Sequence, residues 1–367
     1  MKVYFDHQVF SWQRYGGISR YFANIYNSLH DRGYTDCKIT LLYSRNHYIQ
    51  DQKFPLSPML GERLLRKQRK LEKWNRKYSK YLIGKNDFDI LHPTYYDPYF
   101  LTRLKKPFVI TVHDMIHELF PEFFSPHDHN IPFKRATITK ADHIIAISES
   151  TKNDLQRVFN IPDHKISVVY HGYQEAHVSA DPAFKPPFPE YLLFVGDRAG
   201  YKNFARFVQA VQPLLDRYDI NLICAGGGDF GVAEKELLIR AGIEHRAKQI
   251  SATEAQLNAL YQGALAFVYP SLYEGFGLPI LEAFRNNCPI VSSNTSCFHE
   301  VGGDAVAYFD PYQVEDMTQA IDSVINSRDR SGELRAKGLV QLEKFPMQVC
   351  MDRTLEVYRG LVYRRKG

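Results

Sequence analysis

Cysteine is scarce in this chain and forms no pattern: Cys37, Cys224, Cys288, Cys297 and Cys350 are odd in number and include no C-x-x-C pair. That excludes a disulfide-stapled fold and a cysteine-ligated zinc site. It points to a reducing compartment, with the thiols acting as small buried apolar groups. Long apolar runs are also missing, so no segment reads as a bilayer-spanning helix. The opening MKVYFDHQVF goes directly into a strand pattern, with no basic stretch followed by an apolar leader. The expected location is therefore cytoplasmic, in solution or peripheral at the cytosolic membrane face. A large excess of either charge is absent too, at +5 over 367 residues.

That small net charge conceals one concentrated patch. Between Glu62 and Lys80 stand nine Lys and Arg against two Glu, a local +7 that leaves −2 for the rest of the chain. The segment GERLLRKQRKLEKWNRKYSKYL spaces Leu64, Leu71 and Tyr78 seven apart, with Trp74 and Tyr81 extending the stripe. It reads as one basic amphipathic helix over 62–81, either packed on its own domain or docked on an anionic membrane surface. Nothing else resembles a nucleic-acid module, and no nucleic-acid partner is expected.

At this length two domains with separate cores are expected. Strand patterns followed by glycine turns and helical spacing occur twice, first from Val3 and again from Tyr191. Between them, residues 173–190 are proline-rich and aperiodic, with Pro182, Pro186, Pro187 and Pro189. The reading is an N-terminal domain over 1–172, a linker over 173–190, a C-terminal domain over 191–345 and a last helix over 346–367. Both domains read as doubly wound α/β units.

The C-terminal half carries the most informative string, YPSLYEGFGLPILEAF at 269–284. A short apolar run ends at Tyr269 and Pro270. Gly275 and Gly277 then permit a tight turn, and Pro279 suits the first turn of a helix starting near Leu278. The amides of Phe276, Gly277 and Leu278 would lie at the positive end of that helix, where an anion can sit. Glu274 before the helix and Glu282 in its first turn can face one ligand and accept hydrogen bonds from paired hydroxyls.

The string resembles the E-x7-E motif of retaining glycosyltransferases of family 4 (group 1), mannosyltransferase-like members included. GGISRY at 16–21, TVHD at 111–114 and the YKN loop at 201–203 resemble the same family in the same order. The resemblance implies a GT-B fold, two Rossmann-like domains facing a central cleft, with the last helix crossing back to the N-terminal domain. It also implies a nucleotide-sugar donor held by Gly16, Gly17, Arg198, Lys202, Glu274, Gly275, Phe276, Gly277, Leu278 and Glu282. His113 is the histidine that such enzymes bring to the donor sugar, with Asp114 as a candidate to orient it. Lys202 and Arg198 would stabilise the leaving diphosphate, Glu274 would hold the sugar and Glu282 the ribose. The family's Arg directly before Lys202 is absent, with Tyr201 in its place, and Arg198 is the candidate substitute.

The implied activity is transfer of a hexose with retention, mannose from GDP-mannose being the preferred donor. The implied acceptor is a saccharide or lipid-linked saccharide in surface polysaccharide assembly. A UDP-sugar donor is one alternative and a non-catalytic sugar-nucleotide or membrane adaptor another. No cofactor and no metal are expected, since Asp87-Phe88-Asp89 precedes its strand instead of following one. Gly226, Gly228 and Gly231 have dinucleotide-loop spacing after a strand, which keeps a nicotinamide enzyme as a rival.

Overall fold

The computed structural model describes residues 1–364 apart from 32, 34, 127 and 174–177. The chain divides into two compact units, Met1–His171 with Gln348–Gly367, and Gly172–Met347. Parts of the expected linker (174–177) and of the expected last helix (365–367) lie outside the described residues.

The first unit carries strands β1 (Lys2–Phe5), β2 (Asp36–Ile39), β3 (Ile90–His92), β4 (Val109–Val112), β5 (His143–Ala146) and β6 (Ile166–Val168). All pair in parallel, in the orders β2-β1-β3 and β4-β5-β6, and a bridge between Leu91 and Phe108 joins the two sets. Its helices are α1 (Gln8–Trp12), α2 (Gly17–Asp31), α3 (Pro58–Leu64), α4 (Gln68–Gly84), α5 (Ile116–Leu119), α6 (Asn130–Lys140) and α7 (Glu149–Phe159). The central strands β3, β4 and β5 are buried along their whole length, as a sheet covered on both faces requires, while the edge strands β2 and β6 are partly exposed. On α2 the apolar residues at helical spacing, Ile18, Tyr21, Phe22, Ile25 and Leu29, form one face, buried at all but the half-buried Ile18.

The second unit carries β7 (Tyr191–Val195), β8 (Asn221–Ala225), β9 (Ala247–Ile250), β10 (Ala266–Tyr269), β11 (Ile290–Ser293) and β12 (Val306–Phe309). These form one parallel sheet in the order β12-β11-β10-β7-β8-β9. Its helices are α8 (Phe204–Tyr218), α9 (Val232–Arg240), α10 (Glu254–Gly263), α11 (Leu278–Arg285), α12 (Phe298–Gly302), α13 (Val314–Ile325) and α14 (Arg328–Leu342), and the chain closes with α15 (Met347–Arg364). A core cluster of the second unit packs Phe204, Phe207, Val211 and Leu214 of α8 onto β7, β8 and β10. Each such side chain contributes roughly 1.5–3 kcal/mol of burial.

Two expectations about organisation change. Residues 178–190 are part of the second unit instead of a free linker: the Asp181 amide donates to the Ala255 carbonyl, and Asn258 donates to the Val178 carbonyl at 2.7 Å. The basic segment 62–81 is two helices, α3 and α4, separated at 65–67. At the break Arg45 pairs with Glu62 at 2.8 Å and donates to the Leu65 carbonyl at 3.1 Å, satisfying a carbonyl the ended helix leaves free.

On α4 the buried face is Leu71, Asn75, Ser79, Leu82 and Ile83. Asn75 donates to Ser11 and Tyr43 and accepts from the amides of Leu42 and Tyr43, so a polar residue serves as a packing residue. Trp74, Tyr81, Met59, Leu60 and Leu64 remain exposed. Lys77 lies over the Trp74 ring and Lys85 over the Tyr81 ring. Among the described residues, no helix is long and apolar enough to cross a membrane.

Candidate functional site

In doubly wound sheets, ligands gather at the carboxyl edge of the strands, where strand order reverses. In the second unit that reversal lies between β7 and β10. The loop after β7 brings Lys202, the loop after β10 brings Glu274, and the two meet there, Nζ to Oε1 at 2.7 Å. Their side chains are only 14% and 13% exposed. Burial alone would lower the Lys202 ammonium, but the adjacent carboxylate raises it above the ordinary lysine value. The sequence reading gave these residues separate ligands and did not foresee that they pair.

Supporting residues hold the pair in place. Asn203, left-handed at φ 58° and buried, donates to the carbonyls of Pro270 and Pro311, clamping the Lys202 loop to the loop after β10. The Glu274 amide donates to Ser296 Oγ, and the Cys297 thiol lies 3.3 Å from the Glu274 carbonyl oxygen. The short-range pattern concealed these partners because they come from other strands.

The helix does start at Leu278, and Gly277 before it adopts φ +87°, a conformation that disfavours any side chain. Pro279 is in the first turn as expected. Gly275, Phe276, Gly277 and Leu278 therefore occupy the turn and helix start read from the sequence. Glu282 is the fifth helical residue, beyond the first turn, and Tyr261 Oη donates to its Oε2 at 3.3 Å. Proximity to the positive helix end therefore does not explain Glu282.

Arg198 requires a correction. Its side chain is 1% exposed and its guanidinium is already committed. Nε donates to Glu234 at 2.8 Å, Nη1 to the Gly226 carbonyl at 2.9 Å, and Nη2 to the carbonyls of Gly227, Gly228 and Asp229. Phe230 lies under the guanidinium carbon, 4.9 Å from ring centre to Cζ. A cation so engaged organises a loop, with all but one of its five N–H donors directed to Glu234 and the loop carbonyls. The same geometry counts against a dinucleotide loop. Gly226, Gly227 and Gly228 all have positive φ and turn their carbonyls toward Arg198, whereas a pyrophosphate needs amides. A Cβ on Gly227 would sit 2.7 Å from Arg198 Nη1.

The remaining expected residues lie in the first unit. Gly17 opens α2, and Gly16 precedes it under the Gln13 side chain, whose Oε1 accepts the Ser19 amide at 3.0 Å. His113 follows β4, is 7% exposed, and its Nε2 finds no hydrogen-bond partner among the described residues. Burial pushes its imidazole down to about 4, with Lys134 adding to the effect and Asp114 opposing it. Asp114 accepts from the Ile116 amide and stands 3.6 Å from Lys134 Nζ, so its observed partners are those two groups and not the imidazole it was expected to orient. The Asp87-Phe88-Asp89 pair lies at the opposite edge of the sheet, where Asp87 meets Lys2 Nζ at 2.8 Å and Asp89 accepts the Lys2 amide.

His113 belongs to a group of buried neutral histidines. Burial pushes His92, His171 and His7 each to about 3, with His113 assisting at the first two and Arg76 at the third. Their folded values lie below the unfolded one, so their contribution to stability is complete above about pH 6.5 and is lost as pH falls toward the folded values. Each costs up to about 1.4 kcal/mol per pH unit in that window. Urea midpoints should therefore fall steeply between pH 7 and pH 5, and a flat profile would contradict the burial of these rings.

Residues 15–177 match the model described as Glycosyltransferase Family 4, and residues 180–338 match Glycosyl transferases group 1. The O-antigen chain mannosyltransferase B of Escherichia coli is 30% identical over 285 residues, covering 73% of each chain. The chain belongs to the family 4, group 1 glycosyltransferases. O-antigen chain mannosyltransferase RfbU of Salmonella typhimurium is 27% identical over 218 residues, and that match spans 59% of this glycosyltransferase-family chain and 60% of the relative.

Solved structures of this family's GT-B fold superpose closely. Sucrose-phosphate synthase of Thermosynechococcus elongatus has a TM-score of 0.76 at 17% identity, covering 99% of both chains. Anabaena Alr3699/HepE in complex with UDP and glucose has a TM-score of 0.74 at 16% identity, covering 98% of this chain and all of the other.

Proposed function

We propose that this family member transfers a hexose, mannose from GDP-mannose, to a saccharide or lipid-linked saccharide acceptor in surface polysaccharide assembly, with retention and without a metal. The observation that carries the reading is the Lys202–Glu274 pair at the strand-order reversal of the second unit. A donor diphosphate would take Lys202 from Glu274. The carboxylate would then be released to accept sugar hydroxyls, and the ammonium would neutralise the leaving charge. Glu282 holds the ribose in this scheme. The mannosyl assignment is supported by the names of the two relatives above, whereas the UDP complex of the Anabaena protein makes a UDP-sugar the alternative.

A ligand that binds only the folded state raises the melting temperature, so GDP, UDP and dTDP compared side by side test the donor. A shift with GDP alone is expected; one with UDP alone would keep the enzyme class and discard mannose. Transfer undiminished by EDTA and an NMR product with the donor's anomeric configuration are the further expected results.

The exposed Trp74, Tyr81, Met59, Leu60 and Leu64 among the cations of α3 and α4 favour docking on an anionic lipid surface. The protein should float with phosphatidylglycerol vesicles at low salt. A variant with Arg66, Lys67, Arg69 and Lys70 changed to Glu should remain in solution, and flotation of both alike would end the idea.

A further inference from the structure

The first unit has its own reversal of strand order, between β1 and β3, and a different kind of chemistry is placed there. Trp12 follows β1, Tyr95 follows β3, and their rings meet edge to face at 5.3 Å. Trp12 is 43% exposed, although a free indole would ordinarily be covered in a protein core.

The pair stands on a buried polar lattice. Asp6, fully buried, accepts from the Thr94 amide, Thr94 Oγ1, Gln8 Nε2 and Tyr99 Oη. Gln8 in turn donates to the Tyr95 and Asp97 carbonyls and accepts the Asp97 amide. A buried carboxylate is costly unless fully hydrogen-bonded, and this one ties the loop after β1 to the loop after β3. Nothing in the proposed transfer scheme uses it.

The electrostatics narrow the ligand. Tyr95 packs on Tyr96 at 4.5 Å, and Lys134 lies over the Tyr96 ring with Glu118 at 2.9 Å and Asp114 at 3.6 Å, so two carboxylates share this edge of the sheet. Burial raises the Tyr95 phenol and the nearby acids raise it further. Glu118 has a side chain only 3% exposed. One of its oxygens is held by Lys134 at 2.9 Å, while Oε1 has no hydrogen-bond partner among the described residues. Carboxylates repel phosphate and accept hydroxyl hydrogens, and an aromatic face attracts the apolar C–H face of a sugar ring. An uncharged polyhydroxyl ligand fits both properties; a nucleotide fits only the second.

From this juxtaposition we infer that Trp12 and Tyr95 form a stacking platform for the acceptor saccharide, with Asp114 accepting one of its hydroxyls. The inference deepens the transferase reading by assigning the acceptor's residues, and it rests on that reading for the word acceptor alone. Asp6 and Gln8 are positioning residues, since they act through the loops they join.

Trp12 and Trp74 are the two tryptophans of the chain, so Trp74→Phe leaves Trp12 as the sole indole reporter. In that background, methyl α-mannopyranoside and an α-linked mannobiose are titrated against Trp12 emission, with glycerol as control. A saturable change with the saccharides alone is expected. Tyr95→Ala should weaken it about tenfold, the scale of a lost stacking contact. Tyr95→Phe should restore it, and Asp114→Asn should weaken it while leaving the emission of the free protein unchanged.

A flat titration across mannosides, glucosides and galactosides overturns the platform, as does an affinity that Tyr95→Ala leaves unchanged. The GDP melting shift, measured on the same samples, separates the two proposals. A saccharide response without a GDP shift removes the donor assignment and keeps the platform, and a GDP shift without any saccharide response does the reverse.

Discussion

Replacing Glu274 by Gln is expected to lower the turnover of sugar transfer by about two to three orders of magnitude, the scale of losing one well-placed charged group in an active site. The amide keeps the shape of the carboxylate but accepts fewer hydrogen bonds and carries no charge, so its grip on sugar hydroxyls and its hold on Lys202 both weaken. Glu274→Ala should be worse in a second way. It strands Lys202, a largely buried cation, and breaking such a pair costs about 3–5 kcal/mol. The two effects separate in a cycle: adding Lys202→Met to Glu274→Ala should recover melting temperature without recovering turnover. A Glu274→Gln enzyme retaining most of its activity would remove that carboxylate from the mechanism.

Arg198→Ala is expected to destabilise the second unit by about 3–5 kcal/mol, because Glu234 loses its buried partner and the carbonyls of Gly226, Gly227, Gly228 and Asp229 lose theirs together. At this unit's size that corresponds to a fall of roughly 10 °C in melting temperature. Arg198→Lys should not restore it, since one ammonium cannot span the fork that guanidinium fills. The measurement also decides between a loop anchor and a phosphate ligand. A variant that melts like wild type yet loses its GDP shift would return Arg198 to the donor site; the reverse is expected.

The helix start at Leu278, the glycine turn before it and the buried face of α2 were legible in the sequence, since each depends on neighbours within a turn or two. The basic segment shows where that reading fails. The regular spacing from Leu64 to Tyr81 predicts one helix, but it does not report that the Leu65 carbonyl is bonded to Arg45 and not to a following turn. Nor does it report that Asn75 and Ser79 occupy the buried face, because polar residues pack well only when distant partners satisfy them.

The carbonyl partners of Arg198 were hidden for a related reason. A cation after a strand looks the same in sequence whether it awaits a phosphate or serves a ring of carbonyls, and only the positive φ of three successive glycines turns those carbonyls inward.

The sequence by itself determined the α/β class, the repeated strand, turn and helix order, and the residue types at the carboxyl edges. These follow from local periodicity and from the conformations glycine and proline allow. The tertiary structure decided which of those residues meet. Parallel strands must be joined by long crossovers, so partners at one sheet edge are far apart in the chain. Lys202 and Glu274 are separated by 72 residues and still touch. Trp12 and Tyr95 meet across the other sheet for the same reason. Which adjacent loops come together is set by strand order, a property of the whole sheet that no single stretch of chain contains.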